Sequence, residues 1–333
     1  MIKIIGLLMV VLAAGCGQKS SSDIYLERLS NVLQLDHDYS EYSIVQPPSL
    51  PTMRDRLVSA PVKSSISVRE FLSLKECELH QVLAHRNSSF GKVAAGSQLF
   101  LNDLDIIRTA PACIAKVAAI KPDLAEKLRT LLDSKRRDLA FTFAQALIAG
   151  KEYTQFWSLS HQLTDYPNNV PANIPSSLVQ LAQWANDPSM VDAETFEVRL
   201  GEVRYGDGGL LLRHIAVFNS KLRQATQMIQ SAAAKPLCYQ ANRPTKSTYF
   251  ATVVNQFFIN DLQRQAQVLL RRSADLLTPI MQIESTLHAH LSETYRQWIV
   301  LRDRNVANLK QELKQHVGAI QVIYKQCGIR VGG

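Results

Sequence analysis

No run of apolar residues in this 333-residue chain reaches the roughly 20 needed to cross a bilayer as a helix. No C-x-x-C pair occurs among its five cysteines, which argues against the usual thiol-redox and zinc-binding spacings. Concentrated basic charge is missing too. The densest clusters are Lys135-Arg136-Arg137 and Arg271-Arg272, and no basic, aromatic-studded face suggests a nucleic-acid partner. Proline is scarce late in the chain, with only Pro236, Pro244 and Pro279 between Gly209 and Cys327, leaving room for long helices.

What is present begins at the N-terminus. Lys3 precedes the apolar stretch Ile4 to Ala14, interrupted only by Gly6; Gly15-Cys16 closes it, and a polar tail to Ser22 follows. This is the layout of a secretory signal. Leu12-Ala13-Ala14-Gly15-Cys16 resembles the bacterial lipobox, which implies that Cys16 is acylated and becomes the new N-terminus once residues 1–15 are removed. An ordinary cleaved signal with a chance cysteine is the plainer alternative, but the small residues before Cys16 fit lipidation better. Gly17, in place of Asp, resembles lipoproteins sorted to the outer membrane. The expected place is therefore the periplasmic side of the outer membrane, with the lipid bilayer a partner through the Cys16 acyl chains.

Loss of Lys3 takes the formal charge from +8 to +7, spread over what reads as a solvated helix surface. The remaining cysteines are Cys77, Cys113, Cys238 and Cys327. In an oxidising compartment an even number suggests two disulfides. Three pairings exist; proximity in sequence favours Cys77–Cys113 and Cys238–Cys327, although sequence alone does not choose.

Apolar spacing predicts an all-α fold, an elongated helical bundle stapled by disulfides. Asp23 to Leu35 could form a short helix. Residues 16–61, with Pro47, Pro48, Pro51 and Pro61, read as a lipid-anchored tether or as a strap on the domain. Residues 62–165 form an N-terminal helical half and 176–330 a C-terminal one, separated by the proline-rich zone Tyr166 to Pro175. Ser67 and Glu70 have the spacing of a capping box, opening a helix to about Arg86 with Val68, Leu72, Leu79 and Leu83 on one side. Cys113, Val117, Ile120, Leu124, Leu128 and Leu131 share one face, interrupted at Pro122.

Leu211, Ile215, Phe218, Leu222, Ala225 and Ile229 mark a later stripe. Another runs from Val306 through Leu309, Leu313, Val317, Ile320 and Tyr324 to Cys327. If Cys238 pairs with Cys327, the chain between them must double back. The midpoint falls near residue 282, which predicts a long C-terminal antiparallel hairpin turning at about Leu277 to Met281, beside Pro279.

Few constellations could carry chemistry. Ser89-Phe90-Gly91-Lys92 has the Ser-x-x-Lys form of penicillin-binding enzymes, with Tyr166-Pro167-Asn168 and Lys246-Ser247-Thr248 following in order. Yet Lys246-Ser247-Thr248 lacks the usual glycine and opens a helix, and Ser89 follows a helix instead of starting one. Glu76/His80 and Glu284/His288 stand four apart and could meet at a metal in a bundle, although surface contacts are commoner. Asp36-His37-Asp38 is weaker. Gly206-Asp207-Gly208-Gly209 would cradle a nucleotide only after a strand, and the preceding residues read as helix. Arg86, Asn87, Ser88, Ser89 and Lys92 form either a capping turn or a polar ligand-contacting one, and capping is favoured.

Cys77-Glu78-Leu79, the Arg-Asn-Ser-Ser-x-Gly-Lys-Val run from Arg86 to Val93, Ser97, Cys113 and the Cys238…Cys327 tail together resemble a gammaproteobacterial lipoprotein family catalogued as domain of unknown function 3080. The likeness covers about Pro47 to Cys327. It implies an envelope location and helices, and no activity. The expectation is a non-enzymatic binding or scaffolding protein, without metal or cofactor, contacting another envelope protein or the cell wall. The alternative is an envelope hydrolase using Ser89 and Lys92.

Overall fold

The computed structural model describes residues 19–35, 46–61, 66–88, 96–159, 165–234, 238 and 245–329. These residues are all-α, and their one β-bridge joins Leu57 to Leu291. Both disulfides favoured by proximity are formed, with Cα–Cα distances of 5.3 Å for Cys77–Cys113 and 5.2 Å for Cys238–Cys327.

Helix α1 (Ser21–Leu33) starts at Ser20, whose side chain accepts from the Asp23 amide, and ends at Gln34 in the left-handed region (φ 54°). It buries Tyr25, Leu26, Leu29 and Leu33 in the main core. Residues 46–61 also lie on that core, as a strap. Trp298 Nε1 donates to the Pro48 carbonyl (3.1 Å), and Val58 N donates to the His290 carbonyl (3.0 Å). Arg56, 1% exposed, donates to the carbonyls of Pro51 (2.8 Å) and Ile148 (2.9 Å). Ile148 caps the C-terminus of a long helix, where the unpaired carbonyls and the helix dipole favour a cation.

Ser67 and Glu70 form the reciprocal capping box at the start of α2 (Val68–Leu72). That helix is shorter than the spacing predicts. The chain turns at 73–77 and restarts as α3 (Glu78–Asn87), so Leu79 and Leu83 are buried while Val68 and Leu72 face solvent. Helices α4 (Gly96–Ala118) and α5 (Pro122–Leu147) form a hairpin, with Pro122 in its favoured place in the first turn. The break leaves Ile120 at the tip, 79% exposed, which removes it from the buried face that its spacing predicts. The far end of this hairpin joins α2 and α3 around a separate apolar cluster containing Leu74, Leu79, Ile106, Leu128 and the Cys77–Cys113 bridge. The near end, with Phe100, Leu104 and Phe143, enters the main core. The hairpin is thus an arm with its own small core.

Short α6 (Lys151–Phe156), α7 (Ile174–Asn186) and α8 (Ala193–Arg204) lead to α9 (Gly208–Ala233). The 206–209 turn lies between two helices, and close packing accounts for its glycines. A Cβ would meet the Phe156 ring at 2.4 Å from Gly206 and 2.3 Å from Gly208, and the Ser158 carbonyl oxygen at 2.0 Å from Gly209.

The chain then runs through α10 (Thr245–Val253), a π-helical segment (Val254–Leu262), α11 (Gln263–Thr286) and α12 (Glu293–Gln326). The antiparallel hairpin forms. Phe250 meets Tyr324, Phe258 meets His316, and Glu284 meets Arg302. Its turn falls at 287–292, later than predicted, because α11 continues through Pro279. The π segment Val254–Leu262, with wider i→i+5 turns, lies in the descending arm.

Candidate functional site

Only Arg86, Asn87 and Ser88 of the singled-out polar stretch can be placed, at the end of α3. Ser88 Oγ donates to the His85 carbonyl (2.7 Å), and His85 Nδ1 meets Asn102 Oδ1 at 3.3 Å. Arg86 pairs with Asp103, whose carboxylate also takes Lys135 Nζ at 2.9 Å. Asp103 is 4% exposed, so two cations from α3 and α5 converge on one buried carboxylate of α4. The three groups line a cleft of about 170 Å³ with Pro61, Ser134 and Asp138. This arrangement clamps the end of α3 onto the arm. Asn87 is exposed. Cys16, Ser89 and Lys92 lie outside the described residues, as does Asp36-His37-Asp38.

The carboxylate–histidine pairs are not brought together as metal sites. Glu76 precedes α3, and His80 stacks on Phe71 with ring centroids 4.3 Å apart. Among the described residues no group of three or more His, Cys, Asp or Glu could hold a metal ion. Glu284 is spent elsewhere: Arg302 binds it in parallel, Nη1–Oε1 2.7 Å and Nη2–Oε2 2.8 Å. Such bidentate pairs are strong and directional.

Tyr295 donates to Glu284 Oε1 (2.9 Å), and Tyr153 and Tyr295 share a hydrogen bond of 2.8 Å. The Arg302 guanidinium lies 5.1 Å from the Trp298 ring centroid and 5.6 Å from that of Trp157. Burial, and then the Glu284 carboxylate, push both tyrosine hydroxyls up, so they remain protonated. Burial opposes the Arg302 charge, but Glu284 outweighs it and raises the guanidinium further. Arg302 is 0% exposed and Glu284 4%, which makes this network a brace inside the core.

A second brace ties the 206–209 turn to α11. Asp207 accepts from Arg272 Nε (3.1 Å) and Nη2 and from the Tyr166 hydroxyl, while Arg272 Nη2 also donates to the Pro171 carbonyl (3.0 Å). A third centres on His316, which is fully buried. Thr226 Oγ1 donates to the Leu222 carbonyl, leaving its oxygen to accept from His316 Nδ1–H (3.0 Å); Nε2 then accepts from the Tyr25 hydroxyl (2.8 Å). This pattern assigns the neutral Nδ1–H tautomer.

Burial pushes His316 down to about 3. The unfolded chain therefore binds its proton first, and the contribution to stability is complete above pH 6.5 and declines as pH falls towards 3. About 2 kcal/mol should be lost by pH 5 through this group. Urea midpoints measured from pH 7.5 to 5 should fall in the parent and fall less steeply in His316→Gln, where His290, also pushed down by burial, still contributes.

None of these three braces was singled out from sequence, although each left a trace. Arg302 sits four residues before Val306, on the line of the predicted stripe that begins there. His316 adjoins Val317 in the same helix, and Arg272 follows Leu269 by three.

Comparison with known proteins decides the family. A family model described as Protein of unknown function (DUF3080) matches residues 22–331. The chain belongs to the DUF3080 family. No curated protein and no solved structure matches it. The DUF3080 match spans α1, the strap, the arm and both disulfides. No described helix of this DUF3080 protein is long and apolar enough to cross a membrane.

Proposed function

We propose that this DUF3080 protein is a non-enzymatic scaffolding protein of the cell envelope. Acyl chains on Cys16 hold it to the periplasmic side of the outer membrane, and the α4–α5 arm is offered to another envelope protein. The observation that carries this reading is the far end of the arm. Val68 (76% exposed), Leu72 (50%) and Ile120 (79%) are apolar side chains in solvent on a unit with its own core and disulfide. Lys121 Nζ donates to Ser73 Oγ at 2.8 Å, which brings α2 beside the tip that bears Ile120. Exposed apolar side chains on adjoining elements suit a protein partner better than a polar glycan.

Photo-crosslinking in intact cells tests this. A crosslinker at position 120 should trap a discrete envelope protein that Leu72→Asp abolishes. One at Leu301, exposed on the main body, should not trap it. No adduct from position 120, or the same adducts from both positions, would overturn the reading.

A further inference from the structure

We infer that the face of the body around Ser21, Asp165 and Arg264 lies directly against the phospholipid headgroups of the membrane that holds Cys16. The inference rests on the lipidation of Cys16 proposed above. It begins with how tightly the first helical turn is fixed. Ser20 is 6% exposed and caps α1. Asp165 accepts from both the Ser21 amide (3.0 Å) and its hydroxyl (2.6 Å), and Lys221 of α9 pairs with Asp23 at 2.6 Å. Two separate parts of the fold therefore hold this turn, in addition to its own cap. Behind it, Tyr25, Leu26, Leu29 and Leu33 are buried, so α1 cannot swing out without opening the core.

Covalent length does the rest. Ser20 is four residues beyond Cys16, and fully extended chain spans at most about 3.6 Å per residue, or about 14 Å. The headgroup layer on one side of a bilayer takes up roughly 6 Å of that. The remaining gap of about 8 Å is narrower than a single helix with its side chains, about 10–12 Å. Nothing protein-sized fits between the first turn of α1 and the lipid, which excludes a second copy or a soluble partner at this face. Ser21 shares a cleft with Asp165, Asp261, Arg264 and Gln265, so these residues surround the point where the leash meets the body.

The chemistry of the face suits a zwitterionic surface. Its cations are matched by carboxylates: Lys19 with Glu27 (2.8 Å), Lys221 with Asp23, and Arg264 with Asp261 (3.6 Å). The leash, not net charge, holds the face down, so the contact should be insensitive to salt.

The test uses the full-length lipidated protein in phosphatidylethanolamine/phosphatidylglycerol vesicles that carry a headgroup nitroxide lipid. A fluorophore is attached at position 264, whose side chain is 76% exposed. Strong quenching is expected at low and high salt alike. A Gly/Ser insertion of about 12 residues between Gln18 and Lys19, with a root-mean-square reach of roughly 19 Å, should reduce it several-fold. The mass of the N-terminal peptide is read on the same samples. Acylated Cys16 with an unquenched fluorophore would overturn the apposition alone, and quenching unchanged by the insertion would overturn the leash as what holds the face down. Unmodified Cys16 would overturn the lipid anchor and the apposition with it.

Discussion

Replacing Glu284 with leucine should cost the protein about 3–5 kcal/mol of folding stability, because it leaves the Arg302 guanidinium charged inside the core. Arg302 is 0% exposed, and its two Nη atoms are occupied by the two Glu284 oxygens. Asp303 on its Nε, at 2.8 Å, is the remaining carboxylate paired with it. Tyr295 would lose its acceptor at the same time. Domains are stable by only about 5–15 kcal/mol in total, so this single change approaches the limit of what the fold tolerates. Arg302→Met should cost a similar amount for the opposite reason, an orphaned carboxylate. The double variant Glu284→Leu/Arg302→Met should recover most of the loss, since apolar side chains of similar volume can replace a buried pair. Urea unfolding of the four proteins checks this. Simple addition of the two single losses would show that the pair is not coupled.

Removing the Cys238–Cys327 bridge is the second large effect, about 4–5 kcal/mol for a separation of 89 residues in the chain-entropy model. The bridge stands where two long helices finish together. Helices α9 and α12 run parallel, with contacts from Arg223–Glu312 through Thr226–His316 to Ala233–Gln326, and Cys238 and Cys327 follow their ends. Cys238→Ser/Cys327→Ser should therefore lower the urea midpoint of the whole main core. Cys77→Ser/Cys113→Ser should behave differently, because that bridge lies in the separate cluster of the arm. Its loss should show first as proteolysis within 66–132 while the main core stays closed. Identical global losses from both double variants would contradict a two-core fold.

Helical stripes were readable wherever packing alone decides placement. Leu211, Ile215, Leu222 and Ile229 are buried as their spacing predicts, and Leu309, Ile320 and Cys327 likewise. Misplacement came where local geometry overrides period. Val68 and Ile120 keep helical spacing with buried neighbours, but the 73–77 turn and the break before Pro122 rotate them into solvent. Pro279 looked like a turn because it lacks an N–H, yet α11 runs through it and the chain reverses at His288–His290. The charged braces were hidden for another reason. Period reading sorts residues into apolar and polar faces, and a buried Arg302 or His316 violates the sort at the point where the core needs a hydrogen-bonded tie. Of the polar stretch from Arg86 to Lys92, the spacing pointed to a capping turn; the pairing of Arg86 with Asp103 required the fold, since Asp103 is on the next helix.

The N-terminal segment is where the fold decides between two readings of the sequence. Four prolines and a polar composition allowed either a long tether between anchor and body or a strap on the body. In the structure, α1 and residues 46–61 are parts of the body itself, held by Tyr25–His316, Trp298–Pro48 and the buried Arg56. If Cys16 is acylated as proposed, a protein built this way would work at the membrane surface, with its reach coming from the arm. Amide hydrogen exchange on the full-length lipidated protein tests that account most directly. Protection over Ser21–Leu33 comparable to that of Gly208–Ala233 is the predicted result. Exchange of Ser21–Leu33 at the rate of a free chain would contradict it.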